Sequence, residues 1–274
     1  MSQQYLMYNG KYLQWNNQYV VANLFNNNYQ AVYDAYDTKP DAADAIVDNT
    51  MVAGLVSDGV WAKLDGFWVF ANHITGADSL RDWKTPANTA TAYNSPAFGQ
   101  WQGWTGNASN AYIDLNWIPS VNGVNYQPNS ASFGFYSRAD WNAGYYHGII
   151  SDTKQTYIIP RSSGNTSSKI NGNSSKEGAV ADSLGMYITT CVDATDLYLY
   201  KNKVVVGSGF RDAKGSPTDN IYLFAANVDG TPTYVGKNQL SVAFTGAGLT
   251  QTDVNNITDR FETRMDYHGT GVIT

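Results

Sequence analysis

The chain has 274 residues, a formal net charge of −6 and a pI near 4.9, with 43% hydrophobic, 14% aromatic and only 15% charged residues. The acidic balance argues against nucleic acid, which needs clustered Lys and Arg, and no apolar run reaches the length of a bilayer span. A single cysteine, Cys191, excludes an internal disulfide framework, and no basic region followed by an apolar stretch marks a signal peptide, so synthesis in a cytoplasm is expected.

Three seven-residue units open the chain: YLMYNGK, YLQWNNQ and YVVANLF, beginning at Tyr5, Tyr12 and Tyr19. Tyr, Trp and Val favour strands, Asn9-Gly10 is a hairpin pair, and Asn16-Asn17 stands at the same place one unit later. The spacing predicts a three-stranded meander over residues 4–23. Such a meander is too small to hold a core alone and needs something to lie against. Two readings stand. It is an attachment or oligomerisation element carried by Tyr5, Tyr8, Tyr12, Trp15 and Tyr19, or it is an edge sheet of the main domain. The expected boundaries are 1–25 for the meander, 26–37 for a polar linker (NNNYQAVYDAYD) and 38–274 for the main domain.

A helix is expected next. Pro40 suits its start, Asp41 and Asp44 suit the positive end of its dipole, and Ala42, Ile46, Leu55 and Val56 form its apolar stripe, ending near Gly59. Trp61 and Leu64 continue into a short turn, and Phe67–Ala71 reads as a buried strand. From about residue 88 to 245 short strands follow one another, with turn clusters between them. The clearest are 131–136, 145–150, 156–159, 185–192, 197–200, 204–206, 221–226 and 240–244. Lys201-Asn202 marks a tight hairpin. Residues 161–178, rich in Ser, Gly and Asn, read as a long exposed connection with at most one short strand. Cys191 falls in an alternating run as a small core residue. A second helix closes the chain, capped by Thr250 with Asp253 in its first turn and a stripe of Val254, Ile257, Phe261 and Met265. Strands of this number and spacing mean a sandwich or barrel.

The chain resembles the concanavalin A-like lectin/glucanase jelly roll, and more closely the laminin-G-like domains of tailed-phage virion proteins. The resemblance runs from about 38 to 268. It rests on DGVWAKLDGFWVFANH (58–73), DSLRDWKTP (78–86), NSPAFGQWQGWTGNASNAYIDLNW (94–117), NGVNYQPNSASFGFYSRAD (122–140) and LSVAFTGAGLTQTDVNNITDRFETRM (240–265). It implies a mainly β jelly-roll sandwich with flanking helices, on a head fibre, spike or tail fibre. The implied partners are further copies of the chain (a homo-oligomer such as a trimer), other virion proteins and host-surface polysaccharide. The implied location is the virion, assembled in the host cytoplasm.

Jelly-roll glycosidases need two carboxylates in register on a strand. This chain has only two glutamates, Glu177 in the Ser-rich stretch and Glu262 on the closing helix, so no catalytic residue is assigned and an enzyme is not expected. The competing reading is a carbohydrate-binding module or glycan-active enzyme of a bacterium. His73, His147 and His268 lack zinc-type spacing. Asp140 with Asn142, or Asp193 with Asp196, would contribute to any calcium site, but no EF-hand-type spacing exists, solvated loop acids explain them more simply, and no cofactor is assigned. The aromatic residues carry more. Trp101 and Trp104 lie in a Gly/Gln-rich loop, Trp141 follows Arg138-Ala139-Asp140, and Tyr145, Tyr146 and His147 come just after. Flat rings beside Arg138, Asp140 and Asn142 suit sugars: the ring stacks on C–H faces and planar polar groups read hydroxyls. The candidate ligand residues are therefore Trp101, Arg138, Asp140, Trp141, Asn142 and Tyr145. The competing reading makes these tryptophans lids on the sandwich core, most simply for Trp104, while Trp61, Trp68 and Trp83 read as core.

Overall fold

The structure, a computed structural model, describes residues 25–274 in full and the backbone of Tyr5–Tyr8 and Lys11–Gln14. Those two four-residue strands pair antiparallel with Tyr5 opposite Gln14 and Tyr8 opposite Lys11, as the first two units of the heptad pattern predict. The side chains of Tyr5, Tyr8 and Tyr12, together with Trp15, Tyr19 and the rest of the third unit up to residue 24, lie outside the described residues.

The rest is a jelly-roll β-sandwich with one helical layer. One sheet of eight strands runs in the order Val204–Phe210, Asp196–Lys201, Gly185–Cys191, Ala131–Ser137, Gln239–Gly246, Gly103–Thr105, Ala97–Gly99, with Leu64–Val69 also paired to Gln239–Gly246. The other has nine strands. Its main path is Lys176–Ala179, Asn165–Gly172, Gln155–Ser162, His147–Ile149, Tyr222–Leu223, Tyr112–Asp114, Thr91–Tyr93. Every residue of Ala131–Ser137 and Gly185–Cys191 is buried, because helices cover the face that the second sheet does not. Alternation divides the side chains: Phe133, Phe135 and Tyr187 enter the core between the sheets, while Tyr136, Met186 and Ile188 meet the helices.

The helical layer begins where a linker is expected. Residues Asn27–Ala35 form a helix capped by Asn26, whose side chain accepts from the Asn28 N–H at 3.0 Å. Tyr29, Val32, Tyr33 and Tyr36 stand at i, i+3, i+4 and i+7 and pack into the helix-side core. Tyrosines in a run of asparagines conceal that stripe. The second helix, Ala42–Ser57, is capped by Asp41, so Pro40 lies just outside it, and its inner face matches the expected stripe only in part: Leu55 is buried and Val56 packs on the core, but Ala42 is exposed, Ile46 is 47% exposed, and Ala45, Asp48, Asn49 and Val52 are buried in their stead. The inward Asp48 explains the misplaced stripe. Its Oδ1 accepts from Arg264 Nε at 2.6 Å, both side chains being almost wholly buried, and the Tyr29 hydroxyl donates to its other oxygen at 3.3 Å. The closing helix, Gln251–Tyr267, carries the full capping box between Thr250 and Asp253 and buries Val254, Ile257, Phe261 and Met265. Past its end the chain is held by Tyr136, whose hydroxyl donates to Glu262 and accepts from the Val272 N–H at 2.7 Å.

Residues 161–178 are another correction. They complete the hairpin Gln155–Ser162/Asn165–Gly172 and its edge strand Lys176–Ala179. Thr166, Ser168 and Ile170 point inward and are buried, with Ser168 Oγ 3.0 Å from Thr189 Oγ1. Hydroxyls that satisfy one another fill inward positions that composition assigns to solvent. At this side the two sheets nearly touch: a Cβ on Gly178 would lie 1.8 Å from the Val206 carbonyl oxygen, so only glycine lets the edges meet.

Candidate loop cluster

Three connections converge at one end of the sandwich. The loop 138–146 joins Ala131–Ser137 to His147–Ile149, the turn 163–164 closes the polar hairpin, and residues 234–238 lead into Gln239–Gly246. Asp140 is the hub. Its carboxylate accepts from Arg161 at 3.0 and 3.1 Å, and from the Ser183 N–H at 2.8 Å and hydroxyl at 3.0 Å. Partial burial pushes this carboxyl up, but the Ser183 and Arg161 bonds together outweigh it and hold it below the usual range. The Trp141 N–H donates to Ser183 Oγ at 2.6 Å, and Asn142 Oδ1 accepts from the Gly164 N–H at 3.2 Å. Arg138 braces the loop's base, donating to the Thr270 carbonyl and to Gln239 Oε1, both at 2.7 Å.

The aromatic part is built on that frame. Trp141 and Tyr145 lie nearly parallel, 12° apart with centroids at 6.3 Å, and Lys237 Nζ sits 3.5 Å from the Trp141 ring centroid. Gly236 lets the neighbouring segment close in, since a Cβ there would be 2.8 Å from Tyr145 Cβ. Tyr146 contacts Tyr157 and Tyr234, each at 4.8 Å, and Tyr234 is 53% exposed.

Four of the six candidate ligand residues therefore share one site: Asp140, Trp141, Asn142 and Tyr145. The Arg138 side chain turns instead to the closing-helix side, where it bonds Thr270 and Gln239 and lies close to Glu262. Trp101 belongs to a different cluster. Its ring stacks on His268 at 3.8 Å and 6°, with Arg264 at 5.7 Å, at the end of the closing helix. Burial pushes His268 down to about 4, with the Arg264 charge acting in the same direction, so the stacked imidazole is neutral. Trp104 is a buried lid on the core between the sheets, and Trp61, Trp68 and Trp83 are buried too. His147 is also core. It accepts the Phe224 N–H on Nδ1 at 2.9 Å, and burial pushes it down to about 3. Asp193 serves its own turn, accepting from the Thr195 and Asp196 N–H groups. Arg161, Ser183, Tyr234 and Lys237 escape a sequence reading because pairing register alone brings them to Trp141. The one local signal is a Tyr-x-Gly-Lys run in a turn-rich stretch. Elsewhere on the same sheet, Tyr93, Tyr112 and Tyr222 stack on one another at 4.8 and 4.7 Å, so their faces largely cover each other.

No protein-family model and no curated protein matches the chain. Solved structures do. The NanB sialidase of Streptococcus pneumoniae aligns at 18% identity and TM-score 0.44 over 59% of this chain, which spans 28% of that protein's length. The Trypanosoma rangeli sialidase aligns at 11% identity and TM-score 0.52, covering 84% of this chain and 40% of the other. A mutant of HCR/D aligns at 14% identity and TM-score 0.51, covering 73% and 52%. The last two likenesses agree with the jelly-roll sandwich described above, and at these identities they bear on fold alone.

Proposed function

We propose that this chain is a lectin-like glycan-binding domain carried on a phage virion, and that it binds through the loop cluster around Trp141. The observation that carries the binding role is the gathering of Trp141, Tyr145, Tyr146 and the exposed Tyr234 beside Asp140, Asn142 and Lys237. Rings supply apolar faces for the C–H side of a sugar, and the fixed polar groups orient its hydroxyls. Loops held by a rigid sandwich suit such a role. The virion reading is supported by the sequence resemblance over 38–268 and by the tyrosine-rich N-terminal repeat. There, many weak contacts made by a homo-oligomer would replace single-site affinity.

Binding without hydrolysis is part of the proposal. Glu262 is occupied by Tyr136 and by the Ile273 N–H at 3.0 Å, and Glu177 lies on an edge strand, so the two glutamates share no cleft. The test is retention of the full chain on immobilised bacterial surface polysaccharides, with reducing-end release assayed in parallel. Retention without release is expected. Release of sugar would favour the glycan-active enzyme, and retention by none would remove the binding role. For the N-terminal element, light scattering of the full chain against residues 26–274 is expected to show an oligomer that becomes a monomer.

A further inference from the structure

We infer that the loop cluster takes an acidic glycan, and that Lys237 is the residue that reads its carboxylate or sulfate group. The inference rests on the glycan-binding reading above and goes further by naming the ligand class. The charges at this end are matched except for one. Asp140 is matched by Arg161, and Asp182, next to it, by Lys201 at 2.6 Å. Arg138 bonds only neutral acceptors, but Glu262 lies close enough to favour its charge. Lys237 has neither an ion pair nor a hydrogen bond among the described residues; its one contact is the face of Trp141. The acid that works against it is Glu177, whose charge is felt at Tyr146 and Tyr157. The chain's net charge of −6 does not cancel a local cation, because exposed charges more than about 8 Å away are screened at physiological salt.

Two further observations point the same way. Lys237 is exposed yet held over an aromatic ring, which places a cation beside a surface suited to a sugar's apolar face. The buried polar atoms without partners beside Trp141 include nitrogens that donate: Trp141 Nε1, Arg161 Nε and Asn238 Nδ2. An unpaired lysine beside unmatched donors favours a ligand that brings acceptors and negative charge.

The experiment uses the full chain and two variants, Lys237→Gln and Lys237→Arg, on polygalacturonate, alginate, hyaluronate, polysialate and dextran sulfate. Carboxyl-reduced polygalacturonate, dextran and mannan serve as neutral probes. At least one acidic polymer is expected to bind, with affinity falling as salt rises. Lys237→Gln is expected to weaken that binding about tenfold without weakening any neutral interaction, and Lys237→Arg to restore most of it. Binding of neutral polymers alone, or an acidic interaction untouched by Lys237→Gln, overturns this inference while leaving the glycan reading in place. Binding of none of the polymers overturns both. Thermal melts of the variants, expected to match the parent because Lys237 is exposed, separate loss of contact from loss of fold.

Discussion

Arg264 on the closing helix donates its Nε to Asp48 on the second helix at 2.6 Å, with both side chains almost completely withdrawn from solvent. The two residues are 216 apart in sequence, and their pairing ties together two helices that cover the same sheet. Asp48→Ala would leave an unpaired guanidinium in that layer. The expected loss is about 3–5 kcal/mol, measured by urea unfolding. Replacing both residues with apolar side chains of similar volume should recover most of it, since the pair's own net contribution is small once desolvation is counted. A single variant as stable as the parent would mean that the layer relaxes to admit water.

His147 makes the sandwich acid-sensitive. Its folded pKa lies at about 3, mainly because burial penalises the charged ring, against about 6.5 unfolded. The folded value is depressed, so the unfolded chain binds more protons between those pH values. The contribution is complete above pH 6.5 and is lost as pH falls towards 3. At its largest it is on the order of 5 kcal/mol. His147→Gln should flatten the stability slope over that window relative to the parent, read from urea midpoints at a series of pH values.

Tyr136 connects three elements through one hydroxyl: its own central strand, Glu262 on the closing helix and the backbone of Val272. Tyr136→Phe keeps the ring in the core and removes only that oxygen. It should cost about 1–3 kcal/mol, because the buried Glu262 loses its donor. Limited proteolysis should also release the last residues faster in this variant.

The two tryptophans of the sequence reading should part company on mutation. Trp141→Ala and Tyr234→Ala are expected to lower polysaccharide retention with little change in melting temperature. Trp101→Ala should do the reverse, because its ring is stacked on His268 at 3.8 Å. Equal loss of retention from all three would mean that the two clusters act as one site.

How far the residues disclosed this arrangement depended on whether a signal was local. The Thr250 cap with Asp253 in the first turn, the strand over 131–136 and the acids Asp41 and Asp44 at the start of the second helix are each set by a few neighbouring residues, and the structure has them where the pattern predicts. The hairpin after Tyr200 is displaced by one position, with the left-handed turn at Asn202 and Lys203 (φ 49° and 72°). Asn27–Ala35 and Asn165–Gly172 were hidden for a different reason. Their inward sides carry tyrosines or hydroxyls whose burial becomes acceptable only once partners such as Thr189 are in place. The loop cluster was half visible. Residues 138–145 are contiguous, but Lys237 reaches Trp141 only because Gln239–Gly246 pairs beside Ala131–Ser137, with the Arg138 N–H bonded to the Gln239 carbonyl at 2.8 Å.

Trp141, Tyr145, Tyr146 and Tyr234 belong to neither of the two apolar cores, and Lys237 meets only a ring. If the proposed function holds, folding and recognition are drawn from separate sets of side chains. On that reading, substitutions at these five positions can accumulate without eroding the sandwich, and descendants of this chain are free to change their sugar preference at little risk to the fold. A library randomised there alone should yield mostly folded members with divergent specificities.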